Sequence, residues 1–322
     1  MLNRRTVLSK FLLPAAFGSG LVMAGEASGR SSRREFVGVD SWFNTDRPLT
    51  MAKLRGNPVL VEFGTYTCIN WRRTLPYVKR WHSEYGPQGL QIVGVHTPEF
   101  SFERTRAYIE HELRALGVVF PMAQDNEFRT WNAFGNEAWP SFYLFDKGGQ
   151  PRLQRDGEGY SAAIEDAIRA QLGLARGAKA EDADLSRIGT PEFYFGSLHG
   201  TPQDQSQSPR NGEATYAAVR SPGPDLNEYD LQGTWARGPE PLTLRSASGK
   251  VRVRFSAAQL NLIAGAPQPS PVRVRVDGGT ERTIEIGLPT LYTLLDGDSY
   301  GEHLLELESV TPGLTLFSAT FG

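Results

Sequence analysis

Val59, Leu60, Val61 and Phe63 form a short apolar run rich in strand formers, the pattern of a strand covered on both faces. Gly64 to Thr67 interrupt the run. From Cys68 onward Ile69, Trp71, Leu75, Val78 and Trp81 recur at helical spacing, so a helix is predicted to start at the cysteine. Gly86-Pro87-Gln88-Gly89 ends it, and Leu90 to Val95 reads as the next strand. Strand, helix and strand in that order imply a right-handed crossover and a parallel pair. Ahead of this unit lie a polar lead from Arg30 to Asp46, containing the aromatic pair Trp42-Phe43, and a short helical turn over Leu49 to Gly56. After it the pattern predicts a helix over Phe102 to Leu116, a short edge segment Val118 to Pro121, and a second short helix capped by Asp125-Asn126. A strand from Trp139 to Asp146 then turns through Lys147-Gly148-Gly149 into Pro151 to Asp156. Residues 30–172 are therefore expected to form one α/β domain.

The pattern changes at Gly173 to Asp184, a small and charged stretch without apolar periodicity, and residues 173–189 are read as a linker. Beyond it come short runs separated by glycine and proline turns: Val251 to Phe255, Leu260 to Ile263, Val272 to Val276, Thr283 to Ile286, His303 to Leu307 and Leu314 to Phe321. That spacing predicts an all-β sandwich over 190–322. Thr201 to Gly212, rich in glutamine, serine and proline, is expected to be a surface loop.

The amino terminus is read as a targeting segment. Asn3-Arg4-Arg5-Thr6-Val7-Leu8 resembles a twin-arginine export signal, and Phe11 to Met23 give an apolar core too short to span a bilayer comfortably. Small residues at Ala24, Gly25, Ala27 and Ser28 offer a cleavage site, so residues 1–28 are expected to be a signal peptide and the folded chain periplasmic or secreted. A formal net charge of −2 over 322 residues argues against a nucleic-acid partner, which needs a concentrated basic surface.

Cys68 is the one cysteine in the chain, so no internal disulfide can form. At a strand-to-helix turn the unpaired N–H groups and positive dipole end of the helix favour a thiolate, and Arg72 and Arg73 follow one turn later. The expectation is a reactive, ionised sulfur; the alternative is an inert cysteine packed like a small apolar residue.

The stretch around Cys68 resembles the active-site segment of thioredoxin-fold proteins, in particular the extracytoplasmic domain of DipZ-type proteins, where Cys-Ile-Asn-Cys precedes Arg-Thr-Leu-Pro-Tyr. Cys68, Ile69, Asn70, Thr74, Leu75, Pro76 and Tyr77 match, while Trp71 stands in place of the second cysteine. The resemblance extends over Trp42 to Leu172 and implies a thioredoxin-like fold, a central mixed sheet flanked by helices. It also implies that Pro140 is the cis-proline beside the cysteine, with Trp139 and Trp71 along the substrate groove. Thioredoxins often place a buried acid in the central strand to take a proton from the second cysteine. Glu62 holds that position, and with Trp71 present it is left without that partner; it is read either as a base for water or Cys68, or as a structural residue. His96 and Glu99 follow the neighbouring strand, either as a proton relay near the thiol or as ties within their own loop. The second half resembles the carbohydrate-binding-module-like, jelly-roll-like sandwich of DipZ-type proteins. Tyr194, Trp235 and Tyr292 are there to stack on a glycan or to pack in the core.

The sequence contains no phosphate loop and no Cys/His metal set, and no cofactor is expected. Three functions remain. Cys68 could act as a monothiol oxidoreductase on protein thiols or disulfides of the cell envelope, with an external thiol as reductant. The chain could instead be a redox-inactive binding module. In the third, Thr65 and Cys68 would act as part of a one-cysteine peroxidase, an antioxidant activity.

Overall fold

The computed structural model describes residues 34–177, 182, 184–200, 202–203, 207, 211–217 and 221–322. The expected signal peptide lies outside the described residues, as does part of the Thr201 to Gly212 loop.

The amino-terminal half is built on β2 (Val59–Gly64), every residue of which is buried. It pairs in parallel with β3 (Gln91–His96) and antiparallel with β5 (Ser141–Phe145), so both its edges and both its faces are inside the protein. The full order is β1-β4-β3-β2-β5-β6, with β1 (Ser41–Phe43) antiparallel to β4 (Met122–Gln124) and β6 (Pro151–Asp156) closing the hairpin. This mixed sheet with flanking helices is the predicted thioredoxin-like arrangement. The polar lead contributes a strand that the aromatic pair alone did not announce, and the segment expected at the edge over 118–121 is corrected to β4, which begins after Pro121 and is not an edge because β1 pairs with its outer side.

Between β2 and β3 runs α1 (Ile69–Tyr85), burying Trp71, Leu75, Val78, Trp81 and Tyr85 against one side of the sheet. Each such large apolar side chain stabilises the packed state by roughly 1.5–3 kcal/mol. Pro76 sits inside the helix, at the cost of one hydrogen bond. The next predicted helix is broken at Thr105 into a 3₁₀ turn, Ser101–Arg104, and α2 (Arg106–Ala115). α3 (Arg129–Phe134) and α4 (Ser161–Gln171) complete this half.

The carboxy-terminal half is all β. Its strands are β7 (Phe193–Tyr194), β8 (Gly212–Tyr216), β9 (Glu228–Arg237), β10 (Leu242–Leu244), β11 (Gly249–Gly265), β12 (Ser270–Val276), β13 (Arg282–Ile286), β14 (Thr290–Ser309) and β15 (Thr315–Phe321). They form one hydrogen-bonded sheet of nine strands. The two runs expected at 251–255 and 260–263 are parts of the single long β11, whose first half pairs with β9 and whose second half pairs with β15. These pairings link β11, β15, β10 and β9 in a ring, and the apolar core of this half includes Leu231, Trp235, Val253, Leu262 and Phe321 from these strands.

Candidate functional site

At the carboxyl end of β2 the chain turns through Thr65-Tyr66-Thr67, and Cys68 occupies the cap position before α1, in extended conformation (φ −70°, ψ 113°). Its Sγ lies 3.9 Å from the carbonyl oxygen of Trp139, to which the thiol donates. The Trp139-Pro140 bond is cis, as the resemblance implied. Cysteine and proline loop thus face each other as in a thioredoxin site.

The expectation of an ionised sulfur is corrected. Burial pushes the half-buried Cys68 thiol up, and the charge of Glu99 pushes it further; the backbone N–H groups of Trp71 and Asn70 pull it down but do not prevail. The charges of Arg72 and Arg73 do not outweigh the burial, and both are also engaged elsewhere. Arg72 is paired with Glu112 at 3.0 Å and donates to the Tyr66 carbonyl, and Arg73 is paired with Glu158 at 3.2 Å. The thiol therefore keeps its proton at neutral pH in this arrangement.

Trp71 lies beneath the site rather than along a groove. Its side chain is fully buried and its Nε1–H donates to Glu62 Oε2 at 2.5 Å. Glu62 therefore has a partner after all, an indole where the resembled site has a thiol. Burial pushes the Glu62 carboxyl up to about 8, the indole hydrogen bond opposing, so the acid is mostly neutral at pH 7. Its Oε1 has no hydrogen-bond partner among the described residues. Two glycines make this pairing fit. A Cβ on Gly64 would lie 2.1 Å from the indole, and one on Gly94 would lie 2.7 Å from Glu62 Oε1.

The loop after β3 is organised by a residue the sequence did not single out. Glu103, fully buried, accepts from Thr65 Oγ1 at 2.5 Å, from Thr67 Oγ1, and from the backbone N–H groups of Glu99 and Phe100 at 2.6 and 2.9 Å. Nothing in the apolar periodicity distinguishes Glu103 from a surface acid; only the tertiary fold brings its four donors together. Since Thr65 gives its one hydrogen to Glu103, its oxygen accepts from His96 Nε2–H, 3.2 Å away. His96 stacks on Tyr66 at 5.5 Å, and burial holds it neutral, its pKa down to about 3. Its bonds are to the Thr65 turn, which is the loop-tying reading and not a relay to the sulfur. Glu99 accepts from Tyr194 Oη at 2.9 Å, and Glu192 shares the same hydroxyl at 3.0 Å. Burial, then the Glu192 charge, raises the Glu99 carboxyl.

Tyr194 belongs to the carboxy-terminal half, which packs directly on this site. Ile69 and Phe102 join Phe100, Ile263, Leu291 and Phe317 in one apolar cluster, with the Phe102 and Phe317 rings 4.5 Å apart. Of the aromatics expected for glycan stacking, Tyr194 is committed to this contact and Trp235 is buried in the β core. Tyr292 Oη donates to the Leu288 carbonyl. Its ring is partly buried against the β core. Among the described residues no group of three or more His, Cys, Asp or Glu side chains is arranged to hold a metal, and no helix is long and apolar enough to cross a membrane.

Comparison with known proteins agrees with this geometry. A family model described as "Thioredoxin like C-terminal domain" matches residues 190–322. Protein DipZ of Mycobacterium tuberculosis is 30% identical over 300 residues, covering 89% of this chain and 42% of DipZ, so the chain spans less than half the length of that relative. The thiol-disulfide oxidoreductase YkuV of Bacillus subtilis is 30% identical over 132 residues, covering 40% of this chain and 87% of YkuV. Among solved structures, a putative thiol:disulfide interchange protein DsbE from Chlorobium tepidum is similar at 24% identity and a TM-score of 0.36, over 39% of this chain and 86% of that one. Because YkuV is matched over nearly its whole length, and the match falls on a chain whose cysteine faces a cis-proline from the start of α1, this protein belongs to the thioredoxin-like family of thiol-disulfide oxidoreductases.

Proposed function

We propose that the chain is an exported monothiol member of its family, in which Cys68 performs one half of the usual dithiol exchange. The observation that carries this reading is the retained facing of Cys68 Sγ and the Trp139 carbonyl beside cis-Pro140, with the backbone N–H groups of Asn70 and Trp71 favouring the thiolate. Cys68 loses its proton and attacks one sulfur of a disulfide R–S–S–R′; the S–S bond breaks, R′–S⁻ leaves and takes up a proton, and Cys68–S–S–R remains. Trp71 has no sulfur to displace R. An external thiol R″–SH attacks the mixed disulfide, giving R–S–S–R″ and returning Cys68 to the thiol, so two thiols and one disulfide are present at every stage. Export rests on residues 3–28, and residues 30–172, 173–189 and 190–322 are taken as domain, linker and domain.

Incubation with 2-hydroxyethyl disulfide should add one equivalent of the mixed disulfide at Cys68, read by intact mass, and added thiol should remove it. Cys68→Ser should show neither. If the wild-type protein forms no adduct while its thiol remains alkylatable, the exchange reading fails and the second reading, a redox-inactive binding module, takes its place. That second reading is favoured by the raised thiol pKa. The peroxidase reading is weaker than either, because Thr65 directs its only hydrogen at Glu103.

A further inference from the structure

We propose that the carboxy-terminal domain restricts Cys68 to small thiols and disulfides and excludes a protein-borne partner. This deepens the monothiol reading above and rests on it. A disulfide on a protein arrives with a surface attached, and exchange requires the attacking sulfur to approach along the S–S axis. The attached surface must then fit over whatever surrounds Cys68.

Contacts from the carboxy-terminal domain fall on three of the segments next to the cysteine, the turn before it, the helix after it and the loop from β3, and leave the cis-proline loop as the remaining side. In the turn before it, Tyr66 Oη donates to the Pro289 carbonyl at 3.3 Å. In the helix after it, Ile69 packs into the cluster with Ile263, Leu291 and Phe317, and Arg72 Nη2 donates to Thr290 Oγ1 at 3.0 Å. Arg73 Nη2 donates to the Phe321 carbonyl at 3.3 Å, and a Cβ on Gly322 would lie 2.3 Å from that same nitrogen. On the loop from β3, Glu99 accepts from Tyr194, and the Ser101 N–H donates to Glu240 at 2.9 Å. The two arginines of the motif, expected to tune the sulfur, instead fasten one domain to the other. Cys68 is nevertheless partly exposed, and in this proposal that exposure is the opening left on the side of the Trp139 carbonyl. A molecule a few atoms wide can enter it, while a folded surface meets the docked domain.

The test measures how fast Cys68 of the full chain reacts with N-ethylmaleimide and with a maleimide carried on a globular protein, each rate divided by that for a cysteine in an unfolded peptide. The carrier-borne reagent is expected to be disfavoured at least 100-fold relative to the small one. Phe317→Ser, or Arg73→Ala with Tyr194→Phe, should narrow that ratio at least tenfold by loosening the docked face. Equal normalised rates in the wild-type protein overturn the proposal, and so does failure of both reagents, which would mean that no such opening exists. The wild-type comparison stands even if a variant does not fold. Labelling by the small reagent without exchange on 2-hydroxyethyl disulfide would instead remove the monothiol reading and leave the size restriction in place.

Discussion

Trp71 shows how one substitution can rebuild a site from below. The indole fills the space left by Gly64 and satisfies one oxygen of Glu62, an acid that would otherwise be buried with no donor. Gly64→Ala should therefore cost about 1–3 kcal/mol in the wild-type protein, because the added methyl overlaps the indole. In a Trp71→Ala background the same change should be nearly free. A double-mutant cycle by denaturant titration checks this, and additive effects would count against direct contact. Glu62 makes a separate prediction through its pKa of about 8, raised by burial from an ordinary 4.5. The folded protein binds the extra proton, so the stabilisation is fully present below pH 4.5 and is lost as pH rises through 8; the difference corresponds to roughly 5 kcal/mol. Glu62→Gln keeps an acceptor for the indole and removes the titration. Its stability should fall less steeply from pH 5 to 8 than that of the wild type, as followed by urea midpoints, the remaining slope coming from the other raised carboxyls such as Asp125 and Glu192.

At the scale of elements, short α3 supports the proline loop. Asp125 accepts from the backbone N–H groups of Thr130 and Trp131 at 3.0 and 2.8 Å, tying down the first turn of a six-residue helix that could not persist alone. Trp131 in turn lies 4.5 Å from Trp139, ring centre to ring centre. Asp125→Ala should destabilise by about 1–2 kcal/mol and also slow Cys68 exchange, because the carbonyl facing the sulfur belongs to Trp139. Loss of stability with unchanged exchange would mean that α3 does not position the loop. The sequence marked Asp125 as a capping residue but did not place its effect on the active-site loop, since that coupling runs through a ring contact between two separate elements.

Across the whole molecule the two halves meet at the start of α1 and at the loop after β3. Arg72, Arg73, Phe100, Phe102 and Tyr194 join the mixed sheet domain to the β domain through rings and hydrogen bonds. Calorimetry of the wild-type chain should give a single unfolding transition, and Arg73→Ala with Tyr194→Phe should separate it into two. One transition in both proteins would show that those two contacts do not carry the coupling.

The short apolar run at Val59–Phe63, the helical spacing after Cys68 and the hairpin at 139–156 were enough to determine the parallel pair, its crossover helix and the hairpin, because local periodicity records which face of each element is buried; their union in one mixed sheet was implied by the resemblance. The same local signals located the cysteine at a helix start, while the proline opposite it was implied by the resemblance to thioredoxin-fold proteins. They could not determine the state of the sulfur. That depends first on burial and then on the charges of Glu99 and Glu192, which come from distant parts of the chain, while the arginines that follow the cysteine pair elsewhere. Burial and charge at a point are sums over everything nearby in space, and only the tertiary structure decides what is near.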